Sequence, residues 1–536
     1  MKKLFLIYLL GLILQGCVKE TRVETKVIPE SRQAEAQISQ SFKNQGHSSN
    51  IIEIKKSALG KAYLLVASFR TAERSPQWQD VKPVLVSFEQ SGSRLGLFRL
   101  SYANLYEEIP TDKLIQTFEI IDESKDSLSF DFGKGFISLP SGPPFDIMIN
   151  HEDFKKDVDR LNSGEESSLK IKDSFVRSIN ISDEKFVIEQ SARILNEKLV
   201  ENKVDGLTAK KQLQLEQKEI PVTFNLELKP YIKNENFVPL IFDREQRIGA
   251  FTMLSPVSGE ENPRLYAMKW DLSDEKGPIA LGISKNVPPE LVPVIIEAGE
   301  YWNRVIGKKV FTPKLDMDPG QLPEDRMILV RWIPWETAGF AYASMQADPI
   351  TGEILRGQIF LTSSWYLRGS KIVSEDYKFQ QPEEQKQLIT KYALCVMDQA
   401  SFKEDFLLEK SPNEVQKRAS FDTIRLVVAH EMGHAIGMRH NFVGSFNSPT
   451  PDKEAMSLMA SYLKDFTAAA KPLSTTVMDY TQSVATAING SWIKSETFPY
   501  DQAFVKWAYL GQKIEIEKNN YCSDEHILAA DQHKQV

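Results

Sequence analysis

His430-Glu431-Met432-Gly433-His434-Ala435-Ile436-Gly437-Met438-Arg439-His440 is the stretch on which the reading of this chain turns. The chain holds 7 histidines in 536 residues, and three of them stand in these eleven positions. The pattern is H-E-x-x-H-x-x-G-x-x-H. Two histidines four apart on a helix project from one face, about 6 Å apart along the axis at 1.5 Å rise per residue. That separation lets both imidazoles reach one zinc ion, with bonds of about 2.0–2.1 Å. Glu431, beside the first ligand, is placed to take a proton from water at the metal instead of binding the metal itself. Gly437 permits a sharp turn, because only glycine takes positive φ without penalty. The turn brings His440 round as a third nitrogen ligand. Three protein ligands and one open position make a catalytic zinc site, not a structural one. A bare H-E-x-x-H occurs by chance on amphipathic helices, but the glycine and third histidine at fixed offsets make chance a poor account.

A second segment is Ser474-Thr475-Thr476-Val477-Met478-Asp479-Tyr480, with Met478 lying 38 positions beyond His440. A lone methionine is ordinarily core filler. Together the two segments resemble the metzincin metallopeptidases, whose extended zinc motif and methionine turn they match. The resemblance implies that Met478 forms an apolar floor beneath the three imidazoles. It also makes Tyr480 a candidate catalytic residue that binds zinc or stabilises the oxyanion. Asn441, directly after the third histidine, departs from the acidic, Pro or Ser residue of the better-known metzincin families. Three features narrow the likeness: His440-Asn441-Phe442, Val477-Met478-Asp479-Tyr480, and Pro499-Tyr500-Asp501-Gln502-Ala503-Phe504-Val505-Lys506-Trp507-Ala508-Tyr509. With them the chain is similar to a bacterial group of large zinc-dependent metalloproteases with a long N-terminal extension, including secreted and lipid-anchored members. The likeness spans roughly residues 230–525; it is specific around the zinc motif and weak upstream.

At 536 residues the chain exceeds what one core supports, so two or three domains are expected. Its 42% apolar and 26% charged residues are ordinary for soluble globular protein. A net charge of −8 without a basic patch gives no reason to expect nucleic acid as a partner. The N-terminus differs. Met1-Lys2-Lys3 is basic, and Leu4 to Leu14 is an almost unbroken apolar run, shorter than the about 20 residues a spanning helix needs. It reads as a signal-peptide core. Leu14-Gln15-Gly16-Cys17 resembles the lipobox of bacterial lipoproteins, although Gln15 is an unusual occupant. The resemblance implies that Cys17 is lipid-modified as the mature N-terminus, and Val18 in place of Asp favours the outer membrane. The expected location is therefore exported and lipid-anchored to the bacterial cell envelope. Cys395 and Cys522, 127 positions apart, are compatible with pairing and equally with remaining apart.

Four regions are expected: 1–16 a lipoprotein signal peptide, 17–50 a polar tether, 51–270 a β-rich accessory region, and 271–536 the catalytic domain. Runs such as Ala62–Phe69, Val84–Phe88, Leu95–Leu100 and Val222–Leu228 carry strand signals. Residues 152–220 are rich in Lys, Glu, Asp and Ser, and their charge runs read as a solvated face. Farther on, Pro278–Ile283, Met327–Trp332, Gly339–Ser344 and Gly357–Leu361 read as strands, with a helix opened by Pro288-Pro289 and running through Trp302 and Ile306. That order is the one of the metzincin upper subdomain. It makes Phe340–Ser344 a candidate substrate-binding edge, as well as an ordinary edge strand. Asp348–Glu353 reads as a turn ahead of a calcium loop. A partly helical insert is expected over roughly 366–417. Ser420 then reads as the N-cap of the zinc helix, with Ile424, Leu426, Val427 and Val428 as the packing that holds His430 and His434. A terminal helix is expected near 500–511, and His526 and His533 sit in a polar tail. The fold class is α+β: a mixed twisted sheet with a zinc helix and methionine turn, preceded by the β-rich region.

The function expected from these readings is zinc-dependent hydrolysis of a protein or peptide substrate at one catalytic Zn2+, with membrane contact through the lipid anchor. Two other readings stay open. One is a lipid-anchored, zinc-containing binding or assembly protein without turnover, against which the intact Glu431 argues. The other is a latent zymogen whose N-terminal half blocks the cleft. No propeptide cysteine can cap the zinc in that case, because only Cys17 precedes Cys395.

Overall fold

The computed structural model describes residues 32–45, 50–71, 78–100, 113–140, 168–202, 212–243, 248–254, 265–334, 341–363, 413–465, 471–481, 483–514, 516 and 520–523. The leader with Cys17, the residues Gly339 and Phe340, most of the expected 366–417 insert, Cys395, His526 and His533 lie outside the described residues.

The C-terminal half is built on a five-stranded sheet in the order Phe311–Met317, Ile279–Ser284, Met327–Ile333, Ile354–Thr362, Ala341–Ala347. The first four strands are parallel and the edge strand Ala341–Ala347 runs antiparallel. Every residue of Met327–Ile333 is buried, as befits a central strand covered on both faces. One face carries helix α1 (Val292–Ile306) and helix α2 (Asn413–Ala435). In α1, Val294, Ile295, Ala298, Tyr301, Trp302 and Val305 recur at helical spacing and are buried, so this stripe faces the core. The helix stops at Gly307, whose φ of 75° lets its N–H return to the Asn303 carbonyl at 2.9 Å. Trp302 Nε1 donates to the Ala429 carbonyl at 2.8 Å and fixes α1 against α2. Helices α3 (Asp452–Asp465), α4 (Ser483–Trp492) and α5 (Pro499–Ala508) follow, the last where the sequence predicts it.

Helix α2 corrects one expectation. It is already helical at Asn413, so Ser420 is a buried residue within the helix and not its N-cap. The reason lies two residues further on, where the buried Asp422 carboxylate accepts from Arg418 Nε at 3.2 Å and from the Tyr462 hydroxyl at 2.7 Å. Those side chains reward continuing the helix through Ser420.

The N-terminal half is an eleven-stranded sheet from Phe42–Asn44 at one edge to Ser138–Pro140 at the other. It curls on itself, because the Phe42 ring lies 5.8 Å from that of Phe186, far along the strand order. Ser168–Ile181, Phe186–Asn202 and Gln212–Pro230 are antiparallel neighbours of 14, 17 and 19 residues. These strands run through the charge-rich stretch. Phe186, Ile188, Ala192 and Ile194 are buried on one face, while Lys172 with Glu219 and Arg193 with Asp173 pair on the other. The charges are thus the solvated face of a sheet, with period two. Residues 32–44, expected to belong to a tether, instead add to this body. Ile38 and Phe42 are fully buried in its core, which compensates for ordering a polar segment.

The core of the C-terminal half also begins ahead of residue 271. Ile248, Ala250, Phe251, Ala267, Met268 and Trp270 pack in the same cluster as Trp302 and Met432. The two halves meet through the sheet face that α1 and α2 do not cover. There Gln346 Nε2 donates to the Ala67 carbonyl at 2.8 Å, Gln358 Nε2 to Asp80 at 2.5 Å, and Arg356 to Glu227 at 2.7 Å.

Candidate metal centre

The C-terminal end of α2 presents His430 and, one turn on, His434, and the chain then turns at Gly437, where φ is 102°. A Cβ there would stand 2.2 Å from the Met268 carbonyl oxygen, so glycine is required both by conformation and by the backbone beneath. Beyond the turn the chain pairs with a short segment. Phe251 N–H donates to the Gly437 carbonyl at 2.9 Å and Arg439 N–H to the Gly249 carbonyl at 3.0 Å. This clamp delivers His440. The ligand atoms of His430, His434 and His440 all lie within 4.8 Å of one another, and all three residues are buried.

Backbone carbonyls orient two of the rings. His430 Nδ1 lies 2.6 Å from the Val477 oxygen, and His434 Nδ1 lies 2.8 Å from the Met438 oxygen. A carbonyl only accepts, so each Nδ1 carries the proton and each Nε2 keeps its lone pair. His434 Nε2 is buried and has no hydrogen-bond partner. Burial, reinforced by the charges of His440 and His430, holds the His434 imidazole well below its ordinary pKa, in the neutral form a metal requires. Both carboxylate oxygens of Glu431 are also buried without partners. Burial alone pushes that carboxyl well above the carboxylate range, and a cation among the imidazoles is the opposite charge it lacks. The donor set therefore fits zinc: three converging imidazole nitrogens, one orphaned lone pair on His434, and one acid placed beside them.

Met478 packs against the end of α2. Met478 is fully buried, and a Cβ on Gly433 would come within 2.3 Å of its sulfur, so the thioether lies directly against the helix between the two ligands. Met478 O accepts from Asn441 N–H at 2.9 Å, which ties the turn to the residue after His440. The Asn441 side chain in turn reaches the C-terminal segment, donating to Asn520 O at 3.0 Å and accepting from Cys522 N–H at 3.0 Å. Tyr480 is 39% exposed and forms the rim of the centre. Its ring stacks on His430 at 5.6 Å between centroids and lies 4.7 Å from that of His440.

Several supports escaped the sequence reading. The Gly249–Phe251 segment, the Val477 carbonyl and Trp302 carry no motif of their own. Asp501 stood inside the Pro499–Tyr509 signature without a role, and its buried carboxylate accepts from Val477 N–H at 3.1 Å and from the hydroxyls of Thr476 and Tyr301.

The histidine cluster, the partnerless acid and the buried methionine together resemble a metzincin-type centre. Residues 412–523 match the model of a family described as Met-zincin, and the matched segment holds His430, His434, His440 and Met478. No curated protein and no solved structure matches the chain.

Proposed function

We propose that the protein is a zinc-dependent endopeptidase with a metzincin-like catalytic domain, exported and tethered through Cys17 to the outer membrane of a bacterial envelope. The observation that carries the catalytic part is the buried, partnerless Glu431 beside three convergent imidazoles. His430, His434 and His440 would hold the ion, which supplies a Lewis acid for the scissile carbonyl and lowers the pKa of water. Glu431 accepts the proton of the attacking water on its carboxylate and returns it to the leaving amine. The Tyr480 hydroxyl, at the rim, donates to the developing oxyanion. The edge strand Ala341–Ala347 has an outer side that no strand occupies among the described residues, and an extended peptide can pair with it.

The contacts of Asp80, Ala67 and Glu227 brace the sheet from the face away from α2, which favours an N-terminal half that supports the site over one that plugs it. Activity of the uncleaved chain is expected; activity gained only after trimming upstream of residue 270 would favour the latent form. The lipid anchor rests on the Leu14–Cys17 pattern, and mass spectrometry of the mature N-terminus tests it.

The decisive variant is Glu431→Gln. It should retain one zinc per chain and lose hydrolysis of casein or a peptide library by about 10²–10⁴-fold, the usual contribution of a general base. Undiminished hydrolysis in that variant rules out the mechanism. A wild-type protein that binds zinc and cleaves nothing would instead be a binding or assembly protein.

A further inference from the structure

We infer that Asp501 is a positioning residue for the metal centre, acting through the turn Thr476–Met478. This rests on the zinc reading above and adds to it what sets the direction of the ligands. The turn has two carbonyls that face the ligand-bearing chain. Val477 O receives His430 Nδ1 at 2.6 Å, and Met478 O receives the N–H of Asn441, next to His440, at 2.9 Å. The same turn is pinned from behind by one carboxylate. Val477 N–H donates to Asp501 Oδ2 at 3.1 Å, and the Thr476 hydroxyl donates to Asp501 Oδ1. That hydroxyl also accepts Met478 N–H at 2.9 Å, so the amides of Val477 and Met478 are held by Asp501, one directly and one through Thr476.

Asp501 is itself fixed. It is fully buried in the first turn of α5, and the Tyr301 hydroxyl of α1 donates to its Oδ2. Its neighbour Tyr500 accepts Gly249 N–H at 3.0 Å, on the segment whose carbonyl holds Arg439 beside His440. The start of α5 thus supports the first and third ligands by separate routes. A carboxylate suits this place because it only accepts and can take all three donors at once, whereas an amide must turn one N–H toward a donor. A buried network of this kind costs little when every member is satisfied and much when one is lost.

The test uses the full chain and its variants Asp501→Asn, Thr476→Val and Thr476→Ser. Zinc affinity is measured by competition with a chromophoric chelator, and ligand geometry by the visible absorption of the cobalt(II) form. Thermal unfolding is followed in parallel. Groups that orient a metal ligand typically contribute 10–100-fold in affinity. Asp501→Asn and Thr476→Val should lose about that much and shift the cobalt bands, while Thr476→Ser, which keeps the hydroxyl, should restore both. Wild-type affinity and an unchanged cobalt spectrum in Thr476→Val overturn the proposal, even if the variant melts lower, because a purely structural contact would move the melting point alone. The threonine pair decides the matter should Asp501→Asn fail to fold. A wild-type chain that binds no zinc refutes the metal reading itself, a result distinct from variants that bind as well as wild type.

Discussion

Gly433 lies directly over Met478: a Cβ on the glycine would sit 2.3 Å from the methionine sulfur and 3.1 Å from Trp302 Cζ2. The glycine occupies the helix between His430 and His434, where alanine would be favoured by about 1 kcal/mol on propensity alone. Its presence is explained by the close approach of the turn. Gly433→Ala should therefore destabilise the protein by about 1–3 kcal/mol through overpacking, despite the better helix former. The same change combined with Met478→Ala should cost less than the sum of the two single changes, because truncation opens the space the new methyl needs. Urea unfolding of the four proteins checks this, and strict additivity would show that the two residues do not press on each other.

Asp80 supplies a pH dependence. Burial pushes its carboxyl up to about 6, while the Ser344 hydroxyl, the Arg331 charge and the Gln358 amide hold it back. Its folded pKa is thus above its unfolded one, so between about pH 4 and 6 the folded state binds the extra proton. The stability this provides is complete below the unfolded pKa and is lost as pH rises through 6. A displacement from 3.8 to about 6 corresponds to roughly 3 kcal/mol. The stability of wild type relative to Asp80→Asn should accordingly fall by up to about 3 kcal/mol as pH goes from 4 to 7. Denaturant midpoints at several pH values read it directly. A difference that stays level across the range means Asp80 is not a buried neutral acid at the junction of the two halves.

The metal centre was legible because its chemistry demands fixed offsets. His430, His434, Gly437 and His440 have only one helix and one turn in which to converge, and the structure brings them together. The strands of the five-stranded sheet were legible for a similar reason, since runs such as Met327–Ile333 are buried on both faces and read as continuous apolar segments. The strands from Ser168 to Asn202 were not, because their outward positions carry Lys, Glu and Arg, and the charges mask the alternation of Val176, Ile188 and Ile194. Long-range supports were the least legible. Val477 O and His430 Nδ1 are 47 positions apart, and Asp501 is 24 from Val477. Nothing local marks a backbone carbonyl as the acceptor that fixes a tautomer. Only the meeting of α2, the methionine turn and α5 reveals it.

Tyr480 separates the roles of ring and hydroxyl. Its ring packs on two ligands, at 5.6 Å from His430 and 4.7 Å from His440, and 5.5 Å from Phe442. Its exposure of 39% leaves the side chain on the solvent side of the buried histidines. Tyr480→Phe preserves the stacking and removes only the donor. If the hydroxyl stabilises the oxyanion, kcat should fall by about 10²–10³-fold, with KM and zinc affinity close to wild type, because the donor acts on charge that exists only in the transition state. Tyr480→Ala removes the ring as well, so it should weaken zinc binding in addition by uncovering His430 and His440 to water. Steady-state kinetics with a fluorogenic peptide, together with chelator competition, distinguish these effects. Equal kcat in wild type and Tyr480→Phe would confine Tyr480 to packing over the histidines and leave the oxyanion to the metal.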